Sequence, residues 1–163
     1  MWQGIRFAWL GALVACGSVP PPATQASPLL ETVVPNFESK TLGGNSFDSG
    51  SFYERPLVMS FVSPDCAACD RTLRAAQAMY GDLHDVVVIG VFRDAEKEDA
   101  LRMQARDGLR FPIIVDANGS LSRRFKVDAV PTTFVADRNG RVHWVGGSTL
   151  TEDGLMAAVQ TVR

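Results

Sequence analysis

The sequence contains few of the residues that small exported proteins use to staple a fold or to bind metals. Its 163 residues include three cysteines and two histidines, and three cysteines are too few for a scaffold held by several disulfides. Basic and acidic residues nearly balance, at 16 and 18, so the basic excess that nucleic-acid binding requires is missing. We therefore exclude a disulfide-rich mini-protein and expect no nucleic-acid partner.

Apolar residues, by contrast, are plentiful. They make up 46% of the chain, which excludes an intrinsically disordered protein. A chain of 163 residues suits a single domain, because one hydrophobic core typically organises about 100–200 residues. The sequence therefore predicts one globular domain, and we expect a monomer.

The first cysteine, Cys16, lies in a segment that is typical of an export signal. One basic residue, Arg6, precedes the apolar and small residues 7–15, and this run is shorter than the ~20 residues that span a bilayer. A charged start followed by a short apolar run is typical of a secretory signal peptide. The sequence LVAC at residues 13–16 resembles the bacterial lipobox, which implies cleavage before Cys16 and attachment of lipid to it.

Two other interpretations of Cys16 stay open. One is an ordinary buried cysteine in an N-terminal helix. The other is cleavage after Ala26, which would discard Cys16 and release a soluble protein. Our prediction is a signal peptide at residues 1–15, with Cys16 as the lipid-modified first residue of the mature chain.

Residues 16–34 are predicted to form a tether between this anchor and the folded domain at residues 35–163. Four of the nine prolines lie in the tether, at positions 20, 21, 22 and 28. Together with Gly, Ser, Ala and Thr, they give a composition that buries little apolar surface. In polyproline geometry, residues 17–30 would hold the domain roughly 40 Å from the bilayer.

The remaining sequence alternates between strand and helix patterns, which predicts an α/β fold with a mixed central sheet flanked by helices. A short hairpin is expected at residues 37–47, around Gly43-Gly44. The other predicted strands are residues 57–62, 86–92, 111–116, 132–136 and 142–145, and the predicted helices are residues 67–80, 95–107, a turn near 120–125 and a last helix ending near Gln160. In the second helix, Leu101, Ala105 and Leu109 form the expected apolar stripe. Thr149 and Glu152 fit a capping box for the last helix.

The pair Cys66 and Cys69 lies where the strand at residues 57–62 ends and the next helix begins. The N-terminus of a helix carries partial positive charge, which favours the thiolate that acts as a nucleophile. Two cysteines three positions apart lie on one helix face and are close enough to pair. This arrangement predicts that Cys66 attacks a substrate disulfide and that Cys69 resolves the mixed disulfide. Asp65 is the expected N-cap of that helix.

Three other roles for the cysteine pair compete with this one. A zinc site needs two more ligands, and the two histidines, His84 and His143, have no paired spacing. A purely structural disulfide would close so short a loop that it would constrain the unfolded chain little. A copper-binding protein would need a third ligand, for which His143 is the candidate.

The sequence resembles the thioredoxin superfamily at three motifs. These are SPDCAAC at residues 63–69, VPT at residues 130–132 and FVADRNGR at residues 134–141. Residues 111–115 and the lead-in at residues 35–37 are similar to its envelope branch, the TlpA/ResA-like oxidoreductases, so that the resemblance covers residues 35–163. It implies a thioredoxin-like fold with an N-terminal β-hairpin extension. It also implies that Pro131 is cis and faces the dithiol, with Val130, Pro131 and Thr132 shaping the substrate groove.

The sequence departs from that family at three positions near the dithiol. Asp65 replaces the usual Trp before the first cysteine, and Ser60 replaces a buried Asp. Thr72 stands where the envelope branch often has a Glu. Both of the family's habitual proton acceptors for the resolving thiol are therefore missing.

The resemblance implies a thiol–disulfide oxidoreductase of the cell envelope that acts on protein or apocytochrome dithiols and on a redox partner protein. With lipid on Cys16, the protein would be attached to a membrane and face the periplasm or the exterior, and it would need no metal and no cofactor. Two alternatives remain. One is a peroxiredoxin-like thiol peroxidase, favoured by Ser63 three residues before Cys66 but disfavoured by Met59 where that family has Pro. The other is a copper- or heme-handling accessory protein with the same fold.

Overall fold

The computed structural model describes residues 20–163, so the predicted signal peptide and Cys16 lie outside the described residues. A two-stranded hairpin (β1 and β2) precedes a five-stranded sheet in the order β5-β4-β3-β6-β7. The strands are β1 Glu38–Lys40, β2 Ser46–Asp48, β3 Leu57–Val62, β4 Val87–Arg93, β5 Ile113–Asp116, β6 Thr132–Ala136 and β7 Val142–Gly146. The helices are α1 Cys69–Asp82, α2 Lys97–Asp107, α3 Ser120–Arg124 and α4 Glu152–Gln160, with a 3-10 helix at Ser49–Phe52.

The central strand is β3, and all six of its residues are buried. It pairs in parallel with β4 and antiparallel with β6, while β6 pairs antiparallel with β7. An apolar run without alternation is expected of a strand that is covered on both faces. The mixed sheet, the flanking helices and the N-terminal hairpin that the sequence predicted are therefore confirmed.

Each face of the sheet carries its own core. The α1-side core contains Val58, Val62 and Cys69 together with buried residues of α2 and α4. The hairpin-side core contains Met59 and Phe61 and an aromatic cluster that joins the hairpin to the sheet. Its buried rings belong to Phe37, Phe47, Phe52, Phe61, Phe125 and Phe134. Because alternate residues of β3 point to opposite faces, this one strand contributes to both cores.

The expected apolar stripe of α2 was wrong. Leu101 is 45% exposed, whereas Ala100 is fully buried and Met103 is 6% exposed. The helix therefore packs through a stripe that starts one residue earlier than predicted, although Leu109, just beyond its end, is buried as expected. The helix has two overlapping sets of apolar residues with helical spacing, one that contains Leu101 and one that contains Ala100 and Met103. Packing against the sheet decides which set is buried.

Two predicted helix starts were also wrong. The N-cap of α1 is Ala68, which has no side-chain capping bond, so Asp65 is not the cap. For α4 the cap is Thr151 rather than Thr149, and the Thr151 hydroxyl accepts a hydrogen bond of 3.1 Å from the backbone N–H of Gly154. Near the start of α4 both threonines are competent caps, and the path of the chain decides which one is used.

The predicted tether differs from the structure over residues 22–34, which we call the strap. The strap lies along β7, where Gln25 N–H donates to the carbonyl of Val145 at 2.7 Å and Glu31 N–H donates to that of Val142 at 2.8 Å. Edge strands carry unpaired N–H and C=O groups on their outer side, and the strap supplies partners for them. Among residues 20–163, no helix is long and apolar enough to cross a membrane.

Candidate active site

Cys66 and Cys69 form a disulfide at one edge of the sheet, with their Cα atoms 5.3 Å apart. Cys66 lies in the loop at residues 63–68 that follows β3, and Cys69 is the first residue of α1. The backbone N–H of Cys69 donates to the carbonyl of Cys66 at 2.9 Å. This turn brings the two side chains together, as the C-x-x-C spacing predicted.

The two cysteines differ in exposure. Cys69 has no exposed surface and belongs to the α1-side core, whereas Cys66 is half-buried at the rim of that core. A sulfur of an incoming molecule can therefore reach Cys66 but not Cys69. Cys66 also lies at the N-terminal end of the fourteen-residue helix α1, where the helix dipole stabilises negative charge. The geometry makes Cys66 the accessible sulfur and Cys69 its internal partner.

The segment Val130–Thr132 lies at the same end of the sheet as the dithiol. The Val130–Pro131 peptide bond is cis, as the resemblance implied. Thr132 pairs with Phe61, so the register places Pro131 beside the last residue of β3. Val130 packs against the same core cluster as the two cysteines. The structure thus places this segment at the end of β3 from which the loop that carries Cys66 leads away.

The Thr132 side chain stabilises the loop that leads to Pro131. Its hydroxyl donates to the carbonyl of Ala129 at 2.7 Å. Beside it is a groove of about 160 Å³ that is lined by residues 25–28 of the strap, residues 126–129 and Thr132. The strap therefore lies against the segment that precedes Pro131, a contact that the sequence did not predict.

A neutral hydroxyl pair occupies the buried position where the family has an acid. Ser60 and Thr133 are fully buried, and their hydroxyl oxygens lie 2.9 Å apart. Ser60 lies on the same side of β3 as Val58 and Val62, which is the side that Cys69 packs against. Thr72 is also buried, at 1% exposure. Thr133 was missed by the sequence reasoning, because a Thr in a strand gives no signal of a cross-strand partner.

An ion-pair cluster lies next to the dithiol helix. Asp70, the residue after Cys69, accepts a hydrogen bond of 2.7 Å from Arg106 on α2, and Arg106 also contacts Asp107 at 2.7 Å. The hydrogen bond from Arg106 to Asp107 is the largest cause of a raised pKa of Arg106, and Asp70 adds to it. Arg106 was also missed, since 36 residues separate it from Asp70.

His143, the candidate copper ligand, lies on β7 and contacts two carboxylates. Its Nε2 is 2.9 Å from Asp137 Oδ2, and its Nδ1 is 3.7 Å from Glu31 Oε1. Across residues 20–163, no three His, Cys, Asp or Glu side chains form a group that could hold a metal ion. The structure thus does not group His143 with the two cysteines.

Asp137 anchors the turn between β6 and β7. Burial by itself raises the pKa of Asp137, but hydrogen bonds from His143 and from the backbone N–H groups of Arg141 and Asn139 outweigh it and hold the pKa below 3.8. Asp137 Oδ1 accepts from Asn139 at 2.8 Å and from Arg141 at 3.0 Å. This cluster stabilises the scaffold at the end of β6 opposite to Pro131.

Comparison with known proteins relates the whole domain to thiol–disulfide oxidoreductases. A curated relative is the thiol-disulfide oxidoreductase ResA of Geobacillus thermodenitrificans, which is 22% identical over 134 residues, or 81% of this chain and 77% of the relative. Among solved structures, a secreted disulfide oxidoreductase of Mycobacterium tuberculosis homologous to E. coli DsbE has a TM-score of 0.71. It is 24% identical, over 77% of this chain and 95% of that one.

A second solved structure is a thiol:disulfide interchange protein of the thioredoxin family from Chlorobium tepidum. It has a TM-score of 0.73 and 19% identity, over 86% of this chain and 99% of that one. These likenesses confirm the thioredoxin-like fold. The AhpC/TSA family model matches residues 30–145. Because that match spans most of the chain, the protein belongs to the AhpC/TSA family of thioredoxin-like proteins.

Proposed function

We propose that this protein is a thiol–disulfide oxidoreductase in which Cys66 exchanges disulfides with partner proteins and Cys69 completes each exchange. One observation carries the proposal: a half-buried cysteine is bonded to a fully buried one at the start of a helix. A buried partner that no substrate can reach fits the resolving role, and an accessible one fits the attacking role. The thiol-disulfide oxidoreductase ResA relative supports the same assignment.

In the reducing direction, the Cys66 thiolate attacks one sulfur of a substrate disulfide. A bond forms between Cys66 and that sulfur, and the other substrate sulfur leaves as a thiolate that takes up a proton. Cys69 then loses its proton and attacks the Cys66 sulfur, which releases the second substrate thiol and forms the Cys66–Cys69 disulfide. Two electrons pass to the substrate. Oxidation of a substrate dithiol is the same sequence in reverse.

The removal of the Cys69 proton is the step that differs from the family, because Ser60 and Thr72 stand where the family has acidic proton acceptors. Within residues 20–163, the buried polar side chains on the α1 side of the sheet are the hydroxyls of Ser60, Thr72 and Thr133. A hydroxyl does not take up a full proton near neutral pH. We infer that the proton passes to water or to the departing substrate thiolate. The resolving step is then expected to become faster as pH rises.

The substrate groove is proposed to involve Val130, Pro131 and Thr132. Its support is the register of β6 with β3, which places Pro131 beside Val62, the residue from which the loop that carries Cys66 leads away. Protein or apocytochrome dithiols are the proposed substrates, because Cys66 is partly exposed at the surface and the ResA relative is a thiol-disulfide oxidoreductase. A redox partner protein would restore the active oxidation state.

The protein is proposed to be exported to the cell envelope. The charged and apolar segment at residues 6–15 fits a signal peptide, and the Mycobacterium tuberculosis relative is a secreted protein. Lipid attachment at Cys16 is the proposed means of membrane association, and it rests on the lipobox resemblance.

Trapping of mixed disulfides tests the proposed roles of the cysteines. In cells that express Cys69→Ala, Cys66 should remain bonded to substrate proteins, and non-reducing gels should resolve them as reducible adducts. The matched variant Cys66→Ala keeps a buried thiol and should trap none. If Cys69→Ala yields no adduct, or if both variants yield the same adducts, the assignment is wrong.

The same Cys69→Ala variant separates the oxidoreductase from the thiol peroxidase. A peroxidase would oxidise Cys66 with hydrogen peroxide rapidly whether or not Cys69 is present, because the first step needs only one thiolate. We expect slow oxidation, since Met59 stands where the peroxidase motif has Pro. Oxidation as fast as disulfide exchange would favour the peroxidase instead.

A further inference from the structure

The strap at residues 22–34 runs antiparallel to β7 along its outer edge. Gln25 N–H donates to the carbonyl of Val145, and Val34 N–H donates to that of Gly140 at 2.8 Å, with an antiparallel bridge between Val33 and Arg141. The N-terminal end of the strap therefore lies at the C-terminal end of β7. This arrangement fixes where the preceding chain must emerge.

Residues near the C-terminal end of β7 contact the strap closely. The indole N–H of Trp144 donates to the carbonyl of Pro22 at 2.8 Å. A Cβ atom added to Gly154 would come within 3.1 Å of Pro22 Cγ, and one added to Gly147 would come within 2.2 Å of Gln25 Nε2. The backbone N–H of Val145 donates to the Thr24 hydroxyl at 2.9 Å. The strap thus occupies a formed site, and it does not lie loosely on the surface.

The C-terminal end of β7 is also the dithiol edge of the sheet. Gly146 pairs with Thr133, two residues after Pro131. In the loop that follows β7, the carbonyl of Ser148 accepts a hydrogen bond of 2.9 Å from Arg71, which lies in the first turn of α1. Gly147, against which Gln25 packs, is the neighbour of Ser148. The chain therefore leaves the domain beside the loop that carries Cys66.

The distance from Cys16 to the strap is short. Six residue steps separate Cys16 from Pro22, and a fully extended chain spans about 20 Å over that length. This is about half of the 40 Å that an undocked tether would allow, because residues 22–34 are bound to β7. An anchor at Cys16 would hold the dithiol edge close to the membrane surface.

We propose that the strap presents the dithiol edge to the membrane surface, so that the partners of Cys66 are proteins whose cysteines lie close to that surface. This inference rests on the proposed oxidoreductase function and on lipid attachment at Cys16. The strap acts as a positioning element: it sets the reach of Cys66 and leaves the exchange chemistry unchanged.

The test uses lipidated full-length protein in phosphatidylcholine vesicles and compares its rates of disulfide exchange with two substrates. One is a peptide disulfide linked to a lipid by a short spacer, and the other is the same peptide free in solution. Insertion of 20 Gly/Ser residues after Ser18 lengthens the free chain from about 6 to about 26 residues. Because effective concentration falls as about the −3/2 power of length, exchange with the lipid-linked peptide should slow about tenfold. Exchange with the free peptide should not change.

Two further variants make the test specific to the strap. The triple variant Thr24→Ala, Gln25→Pro and Trp144→Phe removes the hydrogen bonds that hold residues 22–25 to β7. It frees the chain as far as Glu31 and should slow the lipid-linked reaction about fourfold. The same 20-residue insertion between Gly43 and Gly44, at the tip of the β1–β2 hairpin, leaves the reach unchanged and should have no effect. Equal rates with and without the insertion after Ser18 would overturn the inference, as would an equal loss in the hairpin variant.

The failures of the underlying proposals would look different. If the protein does not exchange with the free peptide, the oxidoreductase proposal fails. If wild-type protein and Cys16→Ser partition equally into the soluble fraction of cells, the anchor fails and the inference fails with it. The role of the strap alone is contradicted if the protein is active and membrane-bound but its exchange rate with the lipid-linked peptide does not depend on the length of the attachment.

Discussion

Two loops at opposite ends of the sheet are stabilised by different means. The turn at residues 137–141 is fixed by hydrogen bonds: Asp137 alone accepts two from backbone N–H groups and contacts His143. The loop at residues 63–68 has few such bonds in the described part of the chain, and its main restraint is the Cys66–Cys69 disulfide. One loop therefore keeps its hydrogen bonds in either redox state, whereas the other loses its covalent restraint when the disulfide is reduced.

This difference suits the proposed chemistry. A hydrogen-bonded turn keeps its shape in either redox state, so that β6 and Pro131 stay in register with β3. A loop restrained by a disulfide loses that restraint when Cys66 and Cys69 are reduced. It can then adjust to the surface of a partner during the mixed-disulfide step. The scaffold and the reactive loop therefore have different requirements for rigidity.

The largest stability effect is expected at the permanent turn. Asp137→Ala removes the acceptor for Asn139 N–H, Arg141 N–H and the His143 ring, and should lower the free energy of unfolding by about 2–3 kcal/mol near neutral pH. Urea denaturation measures this loss. The rate of disulfide exchange at Cys66 should not change, because the turn lies at the other end of β6. A slower exchange in this variant would contradict the proposed independence of the two loops.

The stabilisation that Asp137 gives to the turn depends on pH, and the direction of that dependence follows from its pKa. Despite the opposing effect of burial, the hydrogen bonds to Asp137 hold its folded pKa below 3.8. A lowered folded pKa contributes stability that is present above the unfolded value and is lost as pH falls through the folded value. The stability gap between wild type and Asp137→Ala should therefore shrink below about pH 3.8. A gap that is equally large at pH 7 and pH 2.5 would contradict this account.

A smaller effect is expected beneath the dithiol. Thr133→Val keeps the shape of the side chain but leaves the buried Ser60 hydroxyl without its partner, which should cost about 1–2 kcal/mol of unfolding free energy. The double variant Ser60→Ala with Thr133→Val removes both hydroxyls and should recover most of that loss. If the double variant is as unstable as the sum of the two single variants, the hydroxyl pair is not the reason.

The smallest effect is expected at the ion pair between α1 and α2, and it concerns reactivity rather than stability. Arg106→Gln leaves the negative charge of Asp70 in the first turn of α1 uncompensated, and should slow the alkylation of Cys66 in reduced protein by iodoacetamide by about two- to threefold. Asp70→Asn removes that negative charge and should speed the reaction. Both changes should fade at 1 M salt, because exposed charges are screened. Changes in the same direction for the two variants would show that charge is not the cause.

Features encoded over a few neighbouring residues could be predicted from the sequence. The strand Leu57–Val62 was predicted with its observed bounds, since its apolar run has no competing pattern. The pairing of Cys66 with Cys69 followed from their spacing and position, and the cis bond before Pro131 followed from the family resemblance.

Features that depend on contacts between distant residues could not be predicted. Proline-rich composition indicated a free tether, yet residues 22–34 bind an edge strand more than 100 positions away, as in the contact of Gln25 with Val145. The choice of Met103 over Leu101 as a buried residue of α2 depends on how that helix rotates against the sheet. The Ser60–Thr133 pair spans 73 residues and carries no local signal.

The sequence by itself determined the reactive group: two cysteines three positions apart, between a buried strand and a helix. The spacing along the chain is enough to predict this pair, because a single turn of the chain brings both sulfurs together. The tertiary structure alone decided which sulfur a partner can reach, which neutral side chains lie beneath the pair, and where the N-terminal chain leaves the domain. Those properties arise from packing between distant segments, and packing is set by the whole sheet rather than by any one stretch of residues.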